Sequence, residues 1–491
     1  MDKVAAIIGG GVIGAGWAAR FLLNGWDVRV FDPEPGAEDR VAKVIDRARL
    51  ALPGLGDVAL PAEGTLTFCR LMSETVQGAS WIQESVPERL ELKQTLYQKL
   101  QEHAEDKAIL ASSTSGFTPS ELQAASNNPG QILVAHPFNP VYLLPMVEIV
   151  NSDKNDPDQI DLAKEILTDL GMYPMRVRAE IPAHVADRLL EAVWREALWL
   201  VKDDVATTKE VDEAIRMGFG LRWAQMGLFE TYRIAGGPGG MAQFLAQFGP
   251  ALKWPWTKLM DVPNLDADLI AKIAEQSDDQ SGHLSLDQLE EQRDRNLVGI
   301  MRALKHENWG AGAVLSAADT DREDAQGLVR RLADVADPTQ PIVTVNRAVP
   351  LDWLDYNGHM TEAKYLHAFG NATDRVMELI GCDADYVANG GSFFTVETHI
   401  RHLDEVRAGA PMRIETRMLS GDGKKMHLWH EMWSQDRLLA TGEHLLLHVS
   451  LETRKVCEAY APVAGLMREL AKAQSGLPAP DGVGRAVGGP R

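Results

Sequence analysis

The chain has 491 residues, of which 45% are hydrophobic and 24% charged, and its formal net charge is −21 at pH 7. This length predicts more than one domain, and no apolar run approaches the roughly 20 residues of a membrane-spanning helix, which argues against a membrane protein. The negative charge argues against nucleic acid or an anionic membrane surface as a partner, because both select basic patches.

The first apolar run, at residues 4–8, follows an acidic residue and leads at once into a glycine cluster. This arrangement differs from a secretory signal peptide, and we expect a cytoplasmic protein. The three cysteines, Cys69, Cys382 and Cys457, are far apart in the sequence. Their spacing predicts neither a disulfide framework nor a metal site.

The first 32 residues have the pattern of a strand, a glycine turn, a helix and a second strand. Further strand-like runs, separated by helical segments such as 90–104, occur at 81–82, 108–111, 131–135 and 146–150. This alternation predicts a mostly parallel, doubly wound α/β sheet, which we assign to residues 1–184. Long helical stretches without strand patterns follow, and they predict an all-α substrate and dimerisation domain over 185–320.

A charged stretch with two prolines predicts a linker over 321–341. Beyond it, one helical stretch at 362–380 accompanies several strand-like runs, at 342–345, 393–400, 412–418, 426–433 and 437–451. One helix with several strands predicts an α+β domain, which we assign to residues 342–473. The tail, 474–491, is rich in Gly and Pro and is predicted to be disordered.

A GxGxxG motif follows the first predicted strand, with Gly9, Gly11 and Gly14 as its glycines, and Asp32 ends the second strand. Glycines in this context let backbone amides approach a pyrophosphate at a helix N-terminus, and the acid can accept hydrogen bonds from ribose hydroxyls. Asp32 would repel a 2′-phosphate, so the motif favours NAD over NADP; FAD is the alternative. The predicted cofactor-binding residues are Gly9, Gly11, Val12, Ile13, Gly14 and Asp32.

The segments ILASSTSGF and VAHPFNPVYLLPMVEIV resemble the 3-hydroxyacyl-CoA dehydrogenase family, whose pattern is ASNTSS, then HFFNP, then a glutamate. The resemblance covers roughly residues 1–320 and includes WIQESVPERLELKQ, similar to the family segment EAVxExLxxKQ. It implies that His136 is the catalytic base and that Glu148, twelve residues later, orients it. It also implies that Ser115 and Asn139 position the substrate oxygen or the nicotinamide amide.

These residue types suit the oxidation of a secondary alcohol. The reaction needs a base that accepts the hydroxyl proton while hydride leaves the carbon for the nicotinamide. Histidine performs this task near neutral pH. A carboxylate on its other ring nitrogen fixes the tautomer and stabilises the imidazolium.

One position departs from the family pattern. The chain reads PAHVADRLL where the family has PGFxxNRLL, so that Asp187 replaces an asparagine. An amide can donate a hydrogen bond to a substrate oxygen, whereas an ionised carboxylate cannot. Either the substrate oxygen is held by another residue here, or Asp187 faces a positive group. The alternative is that Asp187 is an acidic residue of the surface or the cap of a helix.

The segment RMGFGLRWAQMGLFETYRIAGGPGG resembles the branch of the family that acts on small free hydroxy acids, such as gulonate and carnitine dehydrogenases. Arg222 could bind a substrate carboxylate through its planar guanidinium. Aromatic faces hold a quaternary ammonium, and Trp223 and Phe229 are the candidates, with Asp187 or Glu230 as the counter-charge. For each aromatic residue, packing in the core is the alternative.

Beyond the linker, VPLDWLDYNGHMTEAKYLHAFGNATD resembles hotdog-fold acyl-CoA thioesterases of the 4-hydroxybenzoyl-CoA type, over about residues 341–460. Thr361 stands where the pattern usually has Asn, and the matching residues are Asp355, Asn357, Gly358, His359 and Tyr365. The resemblance implies that Asp355 acts as base or nucleophile while a helix N-terminus polarises the thioester carbonyl. His359 and Glu397 are weaker candidates. The alternative is that Asp355 only caps a turn and the domain only assists assembly.

Together the resemblances imply NAD-dependent oxidation of L-carnitine to 3-dehydrocarnitine and hydrolysis of betainyl-CoA to glycine betaine and CoA. They also imply a homo-oligomer, with a dimer expected. One alternative is a conventional 3-hydroxyacyl-CoA dehydrogenase with a fused acyl-CoA hydrolase. A second is a non-catalytic NAD-binding or structural protein.

Overall fold

The structure is a computed structural model that describes residues 2–485 and 487, apart from 254, 259, 260, 262, 263, 265, 327 and 328. The last part of the predicted tail, residue 486 and residues 488–491, therefore lies outside the described residues. The chain folds into two compact units, Met1–Arg47 with Ala62–Ala317, and Ala48–Pro61 with Ala318–Arg491. Within the described residues, no helix is long and apolar enough to cross a membrane.

The first unit begins with a twisted sheet, as the alternating pattern predicted. Its strands are β1 (Val4–Ile8), β2 (Asp27–Phe31), β3 (Leu66–Phe68), β4 (Trp81–Glu84), β5 (Ile109–Ser112), β6 (Ile132–Pro137), β7 (Met146–Val150) and β8 (Tyr173–Arg176). The strand order is β3-β2-β1-β4-β5-β6-β7-β8. All neighbours run parallel except β6 and β7, which are antiparallel. The sequence did not predict this reversal.

Helices connect these strands. They are α1 (Val12–Leu23), α2 (Ala37–Ala51), α3 (Met72–Val76), α4 (Leu90–Gln101), α5 (Pro119–Gln123) and α6 (Pro157–Asp169). The central strands are buried and apolar, as expected for a parallel sheet covered on both faces. Parallel strands place their carboxyl ends at one edge of the sheet, where ligands bind in this class of fold.

Helices make up the rest of the first unit, which confirms the predicted all-α region. They are α7 (Ala186–Lys202), α8 (Thr208–Ala214), α9 (Gly220–Ala235), α10 (Gly240–Phe248), α11 (Ala267–Ser281), α12 (Leu286–His306) and α13 (Ala311–Ala325), whose last turns belong to the second unit. A π-helical turn at Ile215–Phe219 joins α8 to α9.

The second unit has the predicted α+β architecture. The long helix α14 (Glu362–Leu379) packs against an antiparallel sheet with the order β10-β13-β12-β11-β9. The strands are β9 (Ile342–Ala348), β10 (Gly391–His402), β11 (Pro411–Gly421), β12 (Lys425–Ser434), β13 (Arg437–Ser450) and the short β14 (Lys455–Val456), which pairs with β13. The other helices are α15 (Ala384–Ala388) and α16 (Val463–Ala473), which the sequence did not predict.

Candidate active sites

The glycine turn between β1 and α1 is built for close backbone approach. Gly9 has a φ of +98°, and a Cβ there would lie 2.7 Å from the carbonyl oxygen of Ser85. A Cβ on Gly14 would lie 1.8 Å from the carbonyl oxygen of Gly9, whereas Gly11, at the start of α1, has open space around it. The amide groups at the N-terminus of α1 are therefore open to an anionic group.

Asp32 lies at the other side of this turn. Its carboxylate accepts hydrogen bonds from the backbone N–H of Gly10 (2.6 Å) and of Glu34 (2.8 Å). A cavity of about 740 Å³ next to it is lined by residues of the glycine turn and by apolar side chains, among them Met72 and Val86. A glycine turn, an acid and an apolar wall together fit the nucleoside half of a dinucleotide. Val12 and Ile13 lie beside the turn in the first residues of α1.

His136 and Glu148 form a buried pair. They are directly opposite each other on the antiparallel strands β6 and β7, which is why twelve residues separate them in the sequence. The Nδ1 atom of His136 lies 3.0 Å from Oε2 of Glu148, and the two residues are 4% and 0% exposed. Ser115, in the loop after β5, places its Oγ 3.1 Å from Nε2 of His136. In the tautomer that donates its Nδ1–H to the carboxylate, Nε2 is a proton acceptor.

The carboxylate of Glu148 also binds the start of α7. Its Oε1 accepts hydrogen bonds from the N–H groups of Val185 (2.9 Å) and Ala186 (3.0 Å). Burial acts to raise the pKa of Glu148, but these bonds and the bond from His136 outweigh it, so that its pKa is below the ordinary value. Glu148 is therefore an anion, with one carboxylate oxygen bound to His136 and the other to the start of α7.

The position that departs from the family pattern lies at this pair. Asp187 is in the first turn of α7, and its Oδ2 is 3.5 Å from Nε2 of His136. Asn139, three residues after His136, has an exposed side chain. The structure thus brings Ser115, Glu148 and Asp187 to His136.

Sequence reasoning missed His184, whose ring centroid is 5.5 Å from that of His136. His184 is fully buried, its Nε2–H donates to the carbonyl of Thr114 at 3.2 Å, and burial lowers its pKa, so that it is neutral. Within the described part of the chain its Nδ1 has no hydrogen-bond partner. The signal was present, because His184 stands where the family segment PGFxxNRLL has an apolar residue.

A second buried group beneath this site was also missed. Glu84, at the end of β4, accepts hydrogen bonds from Lys93 Nζ (2.7 Å), the Tyr97 hydroxyl (2.6 Å) and the Ser112 hydroxyl (2.7 Å). Lys93 and Glu84 are both buried, and such a pair persists only when its hydrogen bonds are satisfied. The group fixes the end of β5 that leads to Ser115.

The candidates for substrate recognition lie on α9. Arg222, Trp223, Phe229 and Glu230 are all exposed, and Phe229 is 72% exposed. Trp223 packs its ring 4.5 Å from that of Phe219, measured between centroids. Among the described residues, no hydrogen bond, ion pair or ring contact joins these four residues to His136.

In the second unit, Asp355 lies in a tight turn before α14. Its Oδ1 accepts hydrogen bonds from the backbone N–H of Asn357 (2.8 Å) and of His359 (3.3 Å), and Gly358 adopts a φ of +78°. Its Oδ2 makes no hydrogen bond to any described residue. One oxygen thus organises the turn while the other stays available for chemistry. Thr361 is the N-cap residue of α14.

The side chains of the other candidate residues for the thioesterase reaction contact residues other than Asp355. His359 has its Nε2 3.2 Å from Oε1 of Glu405. Tyr365 is buried in α14 and its hydroxyl donates to the carbonyl of Asp404 at 3.3 Å. Glu397 is exposed on β10, the strand at one end of the sheet, and within the described residues no hydrogen bond or ion pair joins it to Asp355.

Comparison with known families agrees with both sites. The model of the 3-hydroxyacyl-CoA dehydrogenase NAD-binding domain matches residues 4–181, and that of its C-terminal domain matches residues 184–265. The model of the thioesterase-like superfamily matches residues 349–466. The NAD-binding match supports a nicotinamide dinucleotide as the type of cofactor.

Full-length relatives share this organisation. A protein of Ruegeria pomeroyi named L-carnitine dehydrogenase/betainyl-CoA thioesterase is 64% identical over 485 residues, which cover 98% of this chain and 99% of the relative. A Pseudomonas putida protein named L-carnitine dehydrogenase is 48% identical over 64% of this chain and 98% of its own length. The solved structure of FHMPC 5-dehydrogenase, an NAD+-dependent dismutase, is 26% identical with a TM-score of 0.53, over 62% of this chain and 99% of that one. The chain therefore belongs to the family of fused enzymes that join a 3-hydroxyacyl-CoA dehydrogenase to a thioesterase.

Proposed function

We propose that the first unit oxidises L-carnitine to 3-dehydrocarnitine with NAD and that the second unit hydrolyses betainyl-CoA to glycine betaine and CoA. The observation that carries the proposal is the group of Ser115, His136, Glu148 and Asp187 in a chain whose full-length relatives bear the corresponding names. A buried histidine with one nitrogen on a carboxylate and the other on a hydroxyl is the arrangement that alcohol oxidation needs.

We propose the following roles in the oxidation. NAD supplies the hydride acceptor. Nε2 of His136 takes the proton of the substrate hydroxyl, and Glu148 stabilises the imidazolium that forms. Ser115 donates a hydrogen bond to the substrate oxygen once the substrate replaces its bond to His136. Asn139 holds either this oxygen or the nicotinamide amide.

The carboxylate of Asp187 is evidence for a substrate that carries a positive charge. The hydroxyl-bearing carbon of carnitine is one methylene away from a trimethylammonium group, which cannot donate an N–H hydrogen bond. A carboxylate 3.5 Å from the nitrogen that receives the hydroxyl proton would therefore face this cation. An asparagine would provide no charge there. Arg222 would bind the substrate carboxylate, and Trp223 and Phe229 would contact the methyl groups, if α9 closes on the substrate.

The position of Asp32 favours NAD over NADP as the cofactor. Its two oxygens are held by backbone N–H groups, and they retain lone pairs that can accept hydrogen bonds from both ribose hydroxyls. A 2′-phosphate at the same place would meet this carboxylate and be repelled. Binding of NADH and NADPH, each followed by fluorescence titration, tests this preference.

The test of the oxidation is NADH formation by the purified full chain with NAD and L-carnitine. D-carnitine, gulonate and 3-hydroxybutyryl-CoA serve as comparison substrates. Turnover with L-carnitine that exceeds turnover with the CoA ester supports the proposal. Turnover with the CoA ester alone would replace it with a conventional 3-hydroxyacyl-CoA dehydrogenase, and no turnover with any of them would favour a non-catalytic protein.

For the second unit we propose that Asp355 is the base or nucleophile, acting through Oδ2, and that the N-terminus of α14 polarises the thioester carbonyl. Release of free CoA thiol from betainyl-CoA tests this, with acetyl-CoA and 4-hydroxybenzoyl-CoA as comparison substrates. Hydrolysis of none of the three would leave the unit with an assembly role, in which Asp355 only organises its turn.

We also propose that the chain forms a homodimer. Large apolar side chains are exposed on two helices of the first unit, including Leu190 and Trp194 on α7 and Leu221 and Ile234 on α9. Apolar patches of this kind mark interaction surfaces. Light scattering of the eluted protein, with Trp194→Glu as the variant expected to weaken assembly, measures the subunit number.

A further inference from the structure

A short segment from the dehydrogenase half of the sequence is part of the second unit. Residues Ala48–Pro61, here called the 48–61 segment, comprise the last turn of α2 and the first part of the connection to β3, yet they fold with Ala318–Arg491. Leu52, Leu55 and Val58 of the segment are buried. Because an unattached surface loop exposes such residues, the burial indicates a docked structural element.

The segment covers the edge of the antiparallel sheet. β9 is the last strand of that sheet, with β11 as its only strand neighbour among the described residues. The N–H of Ala59 donates to the carbonyl of Asn346 on β9 at 2.9 Å, and the side-chain amide of Gln326 donates to the carbonyl of Ala59 at 2.8 Å. An open edge strand is prone to association with other chains, and the segment satisfies part of this edge.

An ion pair fixes the segment. The side chain of Arg347, on β9, is 1% exposed and pairs with the carboxylate of Asp57. The N–H of Asp57 donates to Oδ2 of Asp319 at 2.6 Å. Burying a guanidinium is costly, and the carboxylate that the segment brings offsets part of this cost.

Arg347 and the 48–61 segment also contact residues that precede Asp355 in the chain. The guanidinium carbon of Arg347 lies 4.9 Å from the ring centroid of Trp353, and the carbonyl of Trp353 accepts a hydrogen bond from the N–H of Thr361 at 2.9 Å. Asp355 lies between Trp353 and Thr361 in the chain. Gly54 packs so closely on Pro350 that a Cβ there would lie 2.5 Å from the Cα of Pro350. The segment thus contacts the chain just before the turn that carries Asp355, directly at Pro350 and through Arg347 at Trp353.

We infer that the 48–61 segment is an integral part of the thioesterase unit and that Asp57 is a positioning residue for Asp355, acting through Arg347 and Trp353. The dehydrogenase half of the sequence therefore supplies a piece that the thioesterase needs, and cutting the linker does not separate two complete domains. Only the role of Asp57 in activity rests on the proposed thioesterase function; the docking of the segment does not.

A cleavage experiment tests the docking without any substrate. A protease site is inserted in the full chain between Thr339 and Gln340, which are both exposed. After complete cleavage, we expect the two fragments to co-elute in gel filtration. Residues 318–339 stay on the N-terminal fragment and also belong to the second unit, so the readout is the urea concentration at which the cleaved fragments separate. Asp57→Ala combined with Ala59→Pro removes the anion and the N–H that bind β9, and we expect it to lower this concentration. The control is Asp436→Asn, at an exposed turn of the same unit. An unchanged urea concentration in the double variant, or a lowered one in the control, would contradict the docking.

Uncut protein tests the positioning role. In the full chain, Asp57→Ala is expected to lower kcat of the thioesterase about tenfold or more with little change in KM, because a shifted turn misplaces Asp355. Dehydrogenase activity should stay within about twofold, and Asp57→Glu, which keeps the anion, should recover part of the loss. Full thioesterase activity in Asp57→Ala would overturn the role of Asp57. If wild-type protein hydrolyses no thioester, the proposed function fails, while the cleavage result still decides the docking.

Discussion

Replacing Glu148 by Gln removes one charge from the centre of the dehydrogenase site and changes little else. The amide oxygen can still accept the two N–H groups at the start of α7, so that the fold at this point is kept. The amide can no longer stabilise an imidazolium at His136, and its N–H₂ favours the wrong tautomer of the ring. In a comparable histidine–carboxylate pair such a change lowers kcat about 10⁴-fold, or about 5.4 kcal/mol of transition-state stabilisation.

The assay is NADH formation from L-carnitine at saturating NAD, with NADH affinity measured in parallel by fluorescence. We expect Glu148→Gln to lose about three to four orders of magnitude in kcat while NADH affinity stays within about threefold. The matched control is Glu165→Gln on α6, an exposed glutamate of the same unit. A kcat within about tenfold of the wild type would refute the role of the His136–Glu148 pair.

Three further outcomes follow from the structure. Asp355→Asn should lower thioesterase kcat at least about 100-fold and leave NADH formation unchanged; equal loss of both activities would point to misfolding instead. Gly14→Ala should raise the dissociation constant for NADH strongly because its Cβ would meet the carbonyl of Gly9, whereas Gly370→Ala, which has open space, should not. Burial lowers the pKa of His444 from 6.5 to about 4, so the unfolded chain binds a proton that the folded second unit does not. Burial also lowers the pKa of the neighbouring His430, so the stability of the second unit should be full above pH 6.5 and fall by at least about 3 kcal/mol toward pH 4. Urea unfolding that is independent of pH over this range would contradict this.

Features that depend on local sequence could be predicted. The strand-like runs that became β4 to β7 and β9 to β13 were found because each run is short and bounded by turn residues, whereas the two-residue strand β14 was not predicted. The turn at Gly9 was found because only glycine tolerates its geometry. The link between His136 and Glu148 came from a family spacing, and the structure supplies the reason, since the two residues face each other across antiparallel strands.

Features that depend on pairing between distant parts of the chain could not be predicted. The reversed direction of β7 leaves no trace in its apolar pattern, because parallel and antiparallel buried strands share the same periodicity. The docking of Asp57 onto Arg347 joins residues 290 apart in sequence, and a charged loop residue gives no indication of its partner. The position of His184 beside His136 was missed because a lone histidine is usually structural.

The most direct test of the proposed oxidation compares the wild type with His136→Asn in NADH formation from L-carnitine. Asparagine preserves a polar side chain of similar size but cannot accept the hydroxyl proton at neutral pH. The proposal predicts steady turnover by the wild type and a loss of about 10³-fold or more in the variant, with NADH affinity retained. Turnover of L-carnitine by the variant at the wild-type rate would contradict it.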